Sequence, residues 1–299
     1  MPRAHPMGHM VVVMVDEESR LLREKRNRVA TLRMNHPRRL NGWTFPMQQA
    51  LKRALVEAAQ DEQVGAVVLT GTGPYYSAGV DLGGAMRPMH PATLHATIEK
   101  ANYELFDAFI QFPKPIIAAV NGHAIGAPVT TATLCDRIIA AEDASFRTPF
   151  ARFGLPPEGC SSILFPRLLG ERTAERVLGS EGWRPTAKEA LDIGLVDEVV
   201  ANGALLKRAQ AQAEAWLSEG YTRAYKASAT KEELMAVNRT ESKGVADALL
   251  SSRFLMSQSR FLASKKKRGM ALAFLGLRLT RPLWALLLDG PREAGRSTA

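Results

Sequence analysis

Short apolar runs alternate with helical patterns up to about residue 205. Five runs rich in Val, Leu, Ile and Ala have the length and composition of buried strands: residues 11–15, 29–34, 64–70, 115–121 and 137–141. Between them, Thr44 is placed to cap a helix that carries Met47, Leu51 and Leu55 on one face. A second helix is predicted over 92–112, and a third begins after Gly126. Strands that alternate with helices predict an α/β fold with parallel strands.

Beyond residue 205 the strand signals stop, and three helices are predicted, over 205–218, 231–237 and 242–267. The stretch 270–288 is rich in Leu, Ala and Phe, but Arg278, Arg281 and Pro282 interrupt it. We therefore expect no integral membrane insertion there. Two alternatives stay open for this stretch, a packed terminal helix and an amphipathic helix that lies on a surface.

Composition is that of a globular protein, with 46% hydrophobic and 23% charged residues among 299. The two cysteines, Cys135 and Cys160, lie in apolar contexts without a CxxC motif or a Cys/His cluster, so no disulfide or zinc framework is expected. The first nine residues lack the apolar run of a secretory signal, and the chain does not end in Ser-Lys-Leu. These features predict a reducing compartment and a cytoplasmic location.

Charge is distributed unevenly along the chain. The formal net charge is +9, and residues 253–281 contain eight Lys or Arg and no acidic residue. Nucleic acid, polyphosphate ligands and anionic membranes all attract such a cluster, and a solvated basic helix face carries one without any partner.

A single carboxylate, Glu158, stands in a proline-stiffened apolar segment, Thr-Pro-Phe-Ala-Arg-Phe-Gly-Leu-Pro-Pro-Glu-Gly-Cys-Ser-Ser. Partial burial among such neighbours raises the pKa of a carboxyl group and makes its ionised form a stronger base. The segment therefore indicates proton abstraction. The alternative is a first-turn glutamate that stabilises the dipole of the following helix.

Two glycine-rich turns lie upstream, each after a predicted strand. One contains Ser77, Ala78 and Gly79, and the other runs Asn-Gly-His-Ala-Ile-Gly-Ala-Pro up to Pro128. Small residues let a ligand approach the backbone closely. Two such turns at the carboxyl ends of strands can direct two backbone N–H groups at one oxygen, which is an oxyanion hole.

Three segments in this order resemble the crotonase (enoyl-CoA hydratase/isomerase) superfamily: Tyr-Ser-Ala-Gly-Val-Asp-Leu, Pro-Lys-Pro-Ile-Ile-Ala-Ala-Val-Asn-Gly and Cys-Asp-Arg-Ile-Ile-Ala-Ala-Glu-Asp-Ala-Ser-Phe. The likeness covers roughly residues 10–268. The pattern Thr-Pro-Phe followed by Pro-Glu-Gly-Cys-Ser-Ser is similar to that of the peroxisomal-type Δ3,Δ2-enoyl-CoA isomerases and of the crotonase-like domain of chromodomain Y proteins.

The resemblance implies an α/β spiral of ββα repeats with a C-terminal helical region, assembled as a homotrimer or a dimer of trimers. The implied organisation is a tail over 1–9, a spiral core over 10–205, a helical trimerisation region over 206–268 and an extension over 269–299. It also implies an acyl-CoA thioester as substrate, with no other cofactor and no metal. A phosphate-bearing substrate explains the basic cluster better than nucleic acid does.

The resemblance also assigns site residues. The oxyanion donors would be the N–H groups of Ala78 and Ala127, and the catalytic base would be Glu158. Residues implied to bind CoA are Arg38, Arg39, Leu40, Ser77, Ala78, Gly79, Asp81, Gly126, Lys265 and Lys266. In the family, basic residues of the C-terminal helix often approach CoA from a neighbouring subunit.

Departures from the family pattern indicate the reaction. Family hydratases use two glutamates, and the corresponding positions here are Thr130 and Phe150, neither of which does acid–base chemistry. One carboxylate suffices to move a proton from C2 to C4, so isomerisation of 3-enoyl-CoA to 2-enoyl-CoA is expected. Hydration, and non-catalytic binding of acyl-CoA or acyl-lysine, remain alternatives.

Other polar residues near these motifs have simpler interpretations. His123 lies in the second turn, where the family has no catalytic residue, so we expect a surface or hydrogen-bonded histidine. Asp81 is expected to brace the helix after the first turn, and Asp136 to be structural. Ser161 and Ser162 lack a His/Asp pattern and are not expected to act as nucleophiles.

Overall fold

A computed structural model of the chain describes residues 12–16, 20–81 and 90–288. The strands in these ranges are β1 Val12–Asp16, β2 Leu21–Arg26, β3 Val29–Met34, β4 Ala66–Gly71, β5 Tyr75–Ser77, β6 Ile116–Val120, β7 His123–Ile125, β8 Arg137–Ala141, β9 Ser145–Arg147 and β10 Glu198–Val200. The predicted tail over 1–9 and the start of the segment after Asp81 lie outside the described residues.

The helices are α1 Phe45–Gln60, α2 Pro91–Gln111, α3 Ala127–Thr133, α4 Phe150–Phe153, α5 Ser161–Leu169, α6 Glu171–Leu178, α7 Ala187–Asp192, α8 Leu205–Glu219, α9 Lys231–Leu249, α10 Ser252–Ser264 and α11 Arg268–Trp284. Thr44 caps α1 as predicted, because its hydroxyl accepts from the N–H of Met47.

The strands form two separate sheets. The larger has the order β1-β2-β3-β4-β6-β8-β10, in which β1, β2 and β3 pair antiparallel and the remaining neighbours pair parallel. The smaller has the parallel order β5-β7-β9. The chain repeats a unit of three elements: one strand in the larger sheet, one strand in the smaller sheet, and a helix. The units are β4-β5-α2, β6-β7-α3 and β8-β9-α4. The expected spiral of ββα repeats is therefore confirmed.

Both faces of β4 and β6 are covered, which explains why apolar residues run nearly without interruption along these strands instead of alternating with polar ones. In β4, Val67 and Leu69 belong to the main core, whereas Ala66 and Val68 pack with α8 through Ala213. Every residue of β4 and β6 is buried.

Strand β2 was not predicted, because four of its six residues, Leu-Leu-Arg-Glu-Lys-Arg, are charged. Arg23 pairs with Glu57 and Lys25 with Asp61, so α1 supplies the counter-ions for this strand. Neither acidic residue is near β2 in sequence. The strand therefore depends on tertiary contacts that its own pattern does not reveal.

The predicted division of the C-terminal helices at residues 238–241 is wrong. Helix α9 runs without a break through this stretch, and the break falls at Ser251, whose hydroxyl accepts from the N–H of Phe254 at 3.1 Å. Asn238, Glu241 and Ser242 interrupted the apolar pattern, yet all three are buried on α9. Their side chains face polar groups on neighbouring elements, and some of those groups belong to the site described next.

Candidate active site

Glu158 lies in the loop between α4 and α5, and only 9% of it is exposed. Burial penalises the charged carboxylate and raises the pKa of Glu158 to about 7. The nearby carboxylate of Glu241 acts in the same direction, while a hydrogen bond from Asn102 opposes both. A carboxyl group with a pKa near neutrality can accept and return a proton at physiological pH.

Asn102 on α2 holds the carboxylate directly. Its Nδ2 donates to Oε2 of Glu158 at 2.7 Å. Its Oδ1 in turn accepts from the hydroxyl of Ser242 on α9 at 2.9 Å. Because Ser242 occupies the oxygen of the amide, the nitrogen of the amide is directed at Glu158.

Glu241 fixes the chain just after the base. One of its carboxylate oxygens accepts from the N–H of Cys160 at 2.6 Å, and the other accepts from the N–H of Ser162 at 2.9 Å. These N–H groups open α5, where no side chain of the N-cap residue itself serves them. Helix α9 therefore holds two parts of the site. It positions Glu158 indirectly, through Asn102, and it binds the first N–H groups of the helix that follows Glu158.

Gly159 brings the base close to α3. Its φ is +66°, and a Cβ there would lie 2.5 Å from Cε1 of Phe106 and 2.6 Å from Oγ1 of Thr130. Only glycine combines this conformation with this approach. Because Thr130 is one turn after Ala127, Glu158 lies next to the helix that begins with the second predicted oxyanion donor.

The two positions that would carry glutamates in a hydratase hold side chains without a carboxylate. The hydroxyl of Thr130 donates to the carbonyl of Ala127 at 3.1 Å, and Phe150 is buried in the first turn of α4. Neither side chain offers a second acid–base group beside Glu158.

In the first glycine-rich turn, the assignment of Ala78 as an oxyanion donor is wrong. The N–H of Ala78 already donates to the carbonyl of Leu40 at 2.9 Å, so it has no proton to offer a ligand. The Ser77 side chain is also not a ligand contact, because the residue is fully buried and its hydroxyl donates to the carbonyl of Asn41. Gly79 donates to the same hydroxyl at 3.2 Å.

Val80 carries the available donor of this turn. Trp43 pairs with the carbonyl of Gly79 and the N–H of Asp81, so the N–H of Val80 points away from Trp43. Gly79 meanwhile approaches the carbonyl of Ile125, to which an added Cβ would come within 2.7 Å. Within the described ranges no group accepts from the Val80 N–H, and the residue before it, Gly79, lies against the second turn.

The backbone N–H of Ala127, the second predicted oxyanion donor, is available to a ligand. Ala127 is the first residue of α3, its N–H has no acceptor among the described residues, and Pro128 follows in the same first turn. Gly126, before it, has a φ of +70°, and a Cβ there would meet no atom within 4 Å. The space beside Gly126 is thus open to a ligand, and Val80 and Ala127 offer N–H groups from two touching turns.

Several predicted CoA contacts do lie together. The carbonyl of Leu40 binds the first turn, and Nη1 of Arg39 lies 3.5 Å from Oδ2 of Asp81. Arg38, Arg39 and Leu40 are exposed, and Leu40 has a positive φ of 54°. The exposed segment 38–40 thus lies against the turn 77–81. The expected bracing of a helix by Asp81 concerns residues outside the described ranges.

Lys265 and Lys266 do not join this surface within one chain. They are exposed at the end of α10, and among the described residues no hydrogen bond or ion pair links them to residues 38–40. Helix α10 instead contacts α4, where Phe261 meets Phe153 edge to face. Their assignment to a neighbouring subunit's CoA stays a prediction.

The simpler interpretations of other polar residues agree with the structure. Nδ1 of His123 lies 2.9 Å from the Ser145 hydroxyl and 2.9 Å from Nη2 of Arg184, on the smaller sheet. The side chain of Asp136 is fully buried and pairs with Arg223. The Ser161 hydroxyl donates to the carbonyl of Glu158 at 2.7 Å, which tightens the loop around the base.

Sequence reasoning missed Val80, Asn102, Glu241 and Ser242. A signal existed for the three side chains, because each stands where an apolar residue is expected on a helix stripe. Asn102 precedes Phe106 and Phe109 on the buried face of α2, and the other two lie between Leu234 and Val245 on α9. Polar residues within a buried stripe require partners. No comparable signal existed for the N–H of Val80.

Comparisons with known proteins identify the family of this chain. The family model "Enoyl-CoA hydratase/isomerase" matches residues 24–270. Human enoyl-CoA delta isomerase 2 is 35% identical over 250 residues, which are 80% of this chain and 62% of that protein. Mouse peroxisomal enoyl-CoA delta isomerase 3 is 38% identical over 172 residues, 57% of this chain and 54% of that protein. The chain thus spans less than two thirds of either isomerase.

Solved structures show the same fold. The crystal structure of an enoyl-CoA hydratase/isomerase from Pseudoalteromonas atlantica T6c aligns with a TM-score of 0.67 at 28% sequence identity, and covers 85% of this chain and 97% of that one. The ββα spiral, the buried glutamate and the match over residues 24–270 agree with one another. The chain belongs to the enoyl-CoA hydratase/isomerase family.

Proposed function

We propose that this protein is a Δ3,Δ2-enoyl-CoA isomerase that acts in chemistry of the fatty-acid β-oxidation type. The observation that carries the proposal is the buried carboxylate of Glu158, whose pKa is raised to about 7 and which is held by Asn102 on a loop that lies against α3. The names of two relatives, both delta isomerases, support it.

In the proposed reaction the thioester carbonyl oxygen accepts hydrogen bonds from the N–H groups of Val80 and Ala127. These donors stabilise the negative charge that develops on the oxygen when the C2 proton leaves. Glu158 takes that proton, which forms a dienolate, and returns it to C4. The double bond moves from C3–C4 to C2–C3, and the carboxylate is regenerated without a second acid–base group.

Hydration is less well supported. It requires one group to activate water and another to handle the proton at C2. The other carboxylate close to Glu158 is that of Glu241, whose two oxygens each accept a backbone N–H. Thr130 and Phe150 offer no alternative.

The test is turnover of trans-3-hexenoyl-CoA, followed as formation of the conjugated thioester. We expect Glu158→Gln to lower kcat by about 100-fold or more, since general acid–base groups contribute 10²–10⁴-fold, while KM changes little. The matched control is Glu62→Gln, an exposed glutamate on the surface.

Other results of these assays would favour one of the alternative functions or another base. Water addition to a 2-enoyl-CoA at a rate above isomerisation, lost in Glu158→Gln, identifies a hydratase. Tight CoA binding in equilibrium dialysis without turnover of either substrate identifies a binding module. Isomerisation that survives the substitution assigns the base to another residue.

Assembly and location are part of the same proposal. We propose a homotrimer or a dimer of trimers, in which Lys265 and Lys266 approach CoA bound to a neighbouring subunit. Light scattering of the purified protein, with and without CoA, measures the mass and its dependence on ligand. The predicted cytoplasmic location is tested by imaging the tagged full chain.

A further inference from the structure

Helix α11 presents an uncharged leucine face to solvent. Leu272 is 67% exposed, Leu279 66% and Leu283 78%, and Leu286 in the following turn is 75% exposed. These residues are spaced by seven, four and three positions, which places them on one side of a helix. At 1.5 Å per residue, the 17 residues of α11 give the helix a length of about 26 Å.

The opposite side of α11 holds the helix on the protein. Ala271 and Phe274 are buried against α10, and the hydroxyl of Ser259 donates to the carbonyl of Ala271 at 2.8 Å. The charged residues also lie on this side. Nε of Arg281 donates to the carbonyl of Leu250 at 2.9 Å, and Nε of Arg278 is buried. The outward leucine face is consequently free of charge.

A cluster of basic residues stands at one end of this face. Lys265, Lys266, Lys267 and Arg268 are exposed immediately before or at the first residue of α11. No acidic residue occurs in the sequence between 253 and 288. An apolar helical face beside four cations complements a bilayer that carries anionic headgroups, because the leucines enter the acyl region while the cations meet phosphates.

The helix is additional to the family match, which ends at residue 270. The segment Arg268–Leu287 is the one stretch among the described residues long and apolar enough, by length and composition, to cross a membrane. Crossing would bury Arg278 and Arg281 in hydrocarbon and would detach Phe274 from α10. Lying in the plane of the membrane surface requires neither.

We propose that α11 binds this protein to the surface of anionic phospholipid membranes, with Leu272, Leu279, Leu283 and Leu286 inserted and with Lys267 and Arg268, the two cations of the cluster that are not assigned to CoA, at the headgroups. This property goes beyond the proposed isomerase activity and does not depend on it. It would place the enzyme at a surface where lipophilic acyl-CoA thioesters also partition.

The test is sedimentation of the full chain with vesicles of phosphatidylcholine alone or mixed with phosphatidylglycerol. We expect at least tenfold tighter binding to the anionic vesicles, weakened by salt. The double variant L279E/L283E should lose binding by at least tenfold. The matched control V56E/L191E adds the same charge at two other exposed apolar positions and should bind like the wild type.

Thermal unfolding of each variant checks that the fold is intact, and truncation after Lys267 gives a second route if L279E/L283E fails to fold. Absence of wild-type sedimentation with anionic vesicles overturns the proposal, as does equal loss in both double variants. A lower oligomeric mass for L279E/L283E in light scattering, without a change in vesicle binding, also overturns it and assigns the face to a second copy of the chain.

Discussion

Asn102 donates its side-chain amide to Oε2 of Glu158 over 2.7 Å, although the two residues are 56 positions apart in the chain. The contact joins the middle of α2 to the loop before α5. It stabilises the ionised form of a carboxyl group that burial otherwise drives toward the neutral form. Burial and the hydrogen bond from α2 therefore act in opposite directions on the same pKa, that of Glu158.

Replacing Asn102 by Ala should raise the pKa of Glu158 above its value of about 7, because the hydrogen bond that lowers it is lost. A hydrogen bond to a charged group contributes about 1.5–3 kcal/mol, so we expect kcat at neutral pH to fall by about 10-fold or more. The acid limb of the pH–kcat profile should move to higher pH.

The control is Gln111→Ala, which removes another amide that links α2 to α9, through Sδ of Met235. A merely structural role for Asn102 would lower kcat by the same factor at every pH. That result would contradict the assignment.

Replacing Glu241 by Gln should move the same profile in the opposite direction. The negative charge of Glu241 raises the pKa of Glu158, so a neutral amide should lower it and extend activity to lower pH. The amide can accept only one of the two N–H groups, of Cys160 and Ser162, that Glu241 now accepts. The free energy of unfolding should fall by about 1–3 kcal/mol. Glu232→Gln, at an exposed position of α9, serves as the reference, and unchanged profiles would refute the coupling.

Stability should depend on pH through Glu158. The folded pKa of about 7 lies above the model value of 4.5, so the folded state holds its proton more tightly than the unfolded state does. The contribution of Glu158 to the free energy of unfolding is therefore complete below about pH 4.5. It declines as the pH rises to about 7, by about 3 kcal/mol in total. Glu158→Gln should remove this decline. Urea unfolding of both proteins at pH 5 and pH 8 measures it, and parallel pH dependences would rule it out.

Gly159→Ala should destabilise the loop that carries the base. The new Cβ would meet Phe106 and Thr130 at distances below 3 Å, and the φ of +66° is strained for alanine. We expect a loss of about 1–3 kcal/mol in the free energy of unfolding together with a loss of activity. Gly170→Ala separates the causes, since its φ is +77° but no atom lies within 4 Å of the added Cβ. Equal losses in the two variants would show that backbone strain alone is responsible.

Much of the fold and part of the site follow from the sequence alone. Runs rich in Val, Leu, Ile and Ala predicted β3, β4, β6 and β8, since strands that are covered on both faces, as β4 and β6 are, carry apolar residues at nearly every position. The lone carboxylate among prolines and phenylalanines predicted a buried base, because its neighbours in sequence are also part of its surroundings. The helix that starts at Ala127 was likewise visible, since glycine before a helix start is a local requirement.

Only the tertiary structure decided the rest. Ala78 and Val80 are two residues apart in similar surroundings, and pairing with Leu40 and Trp43 determines which N–H is occupied. Asn102, Glu241 and Ser242 come from helices that meet the base only after folding. Hydrogen bonds between distant segments depend on register and approach, and local sequence patterns specify neither. The apolar composition of 270–288 was evident from the start, but packing of Phe274 against α10 determined which leucines remain exposed.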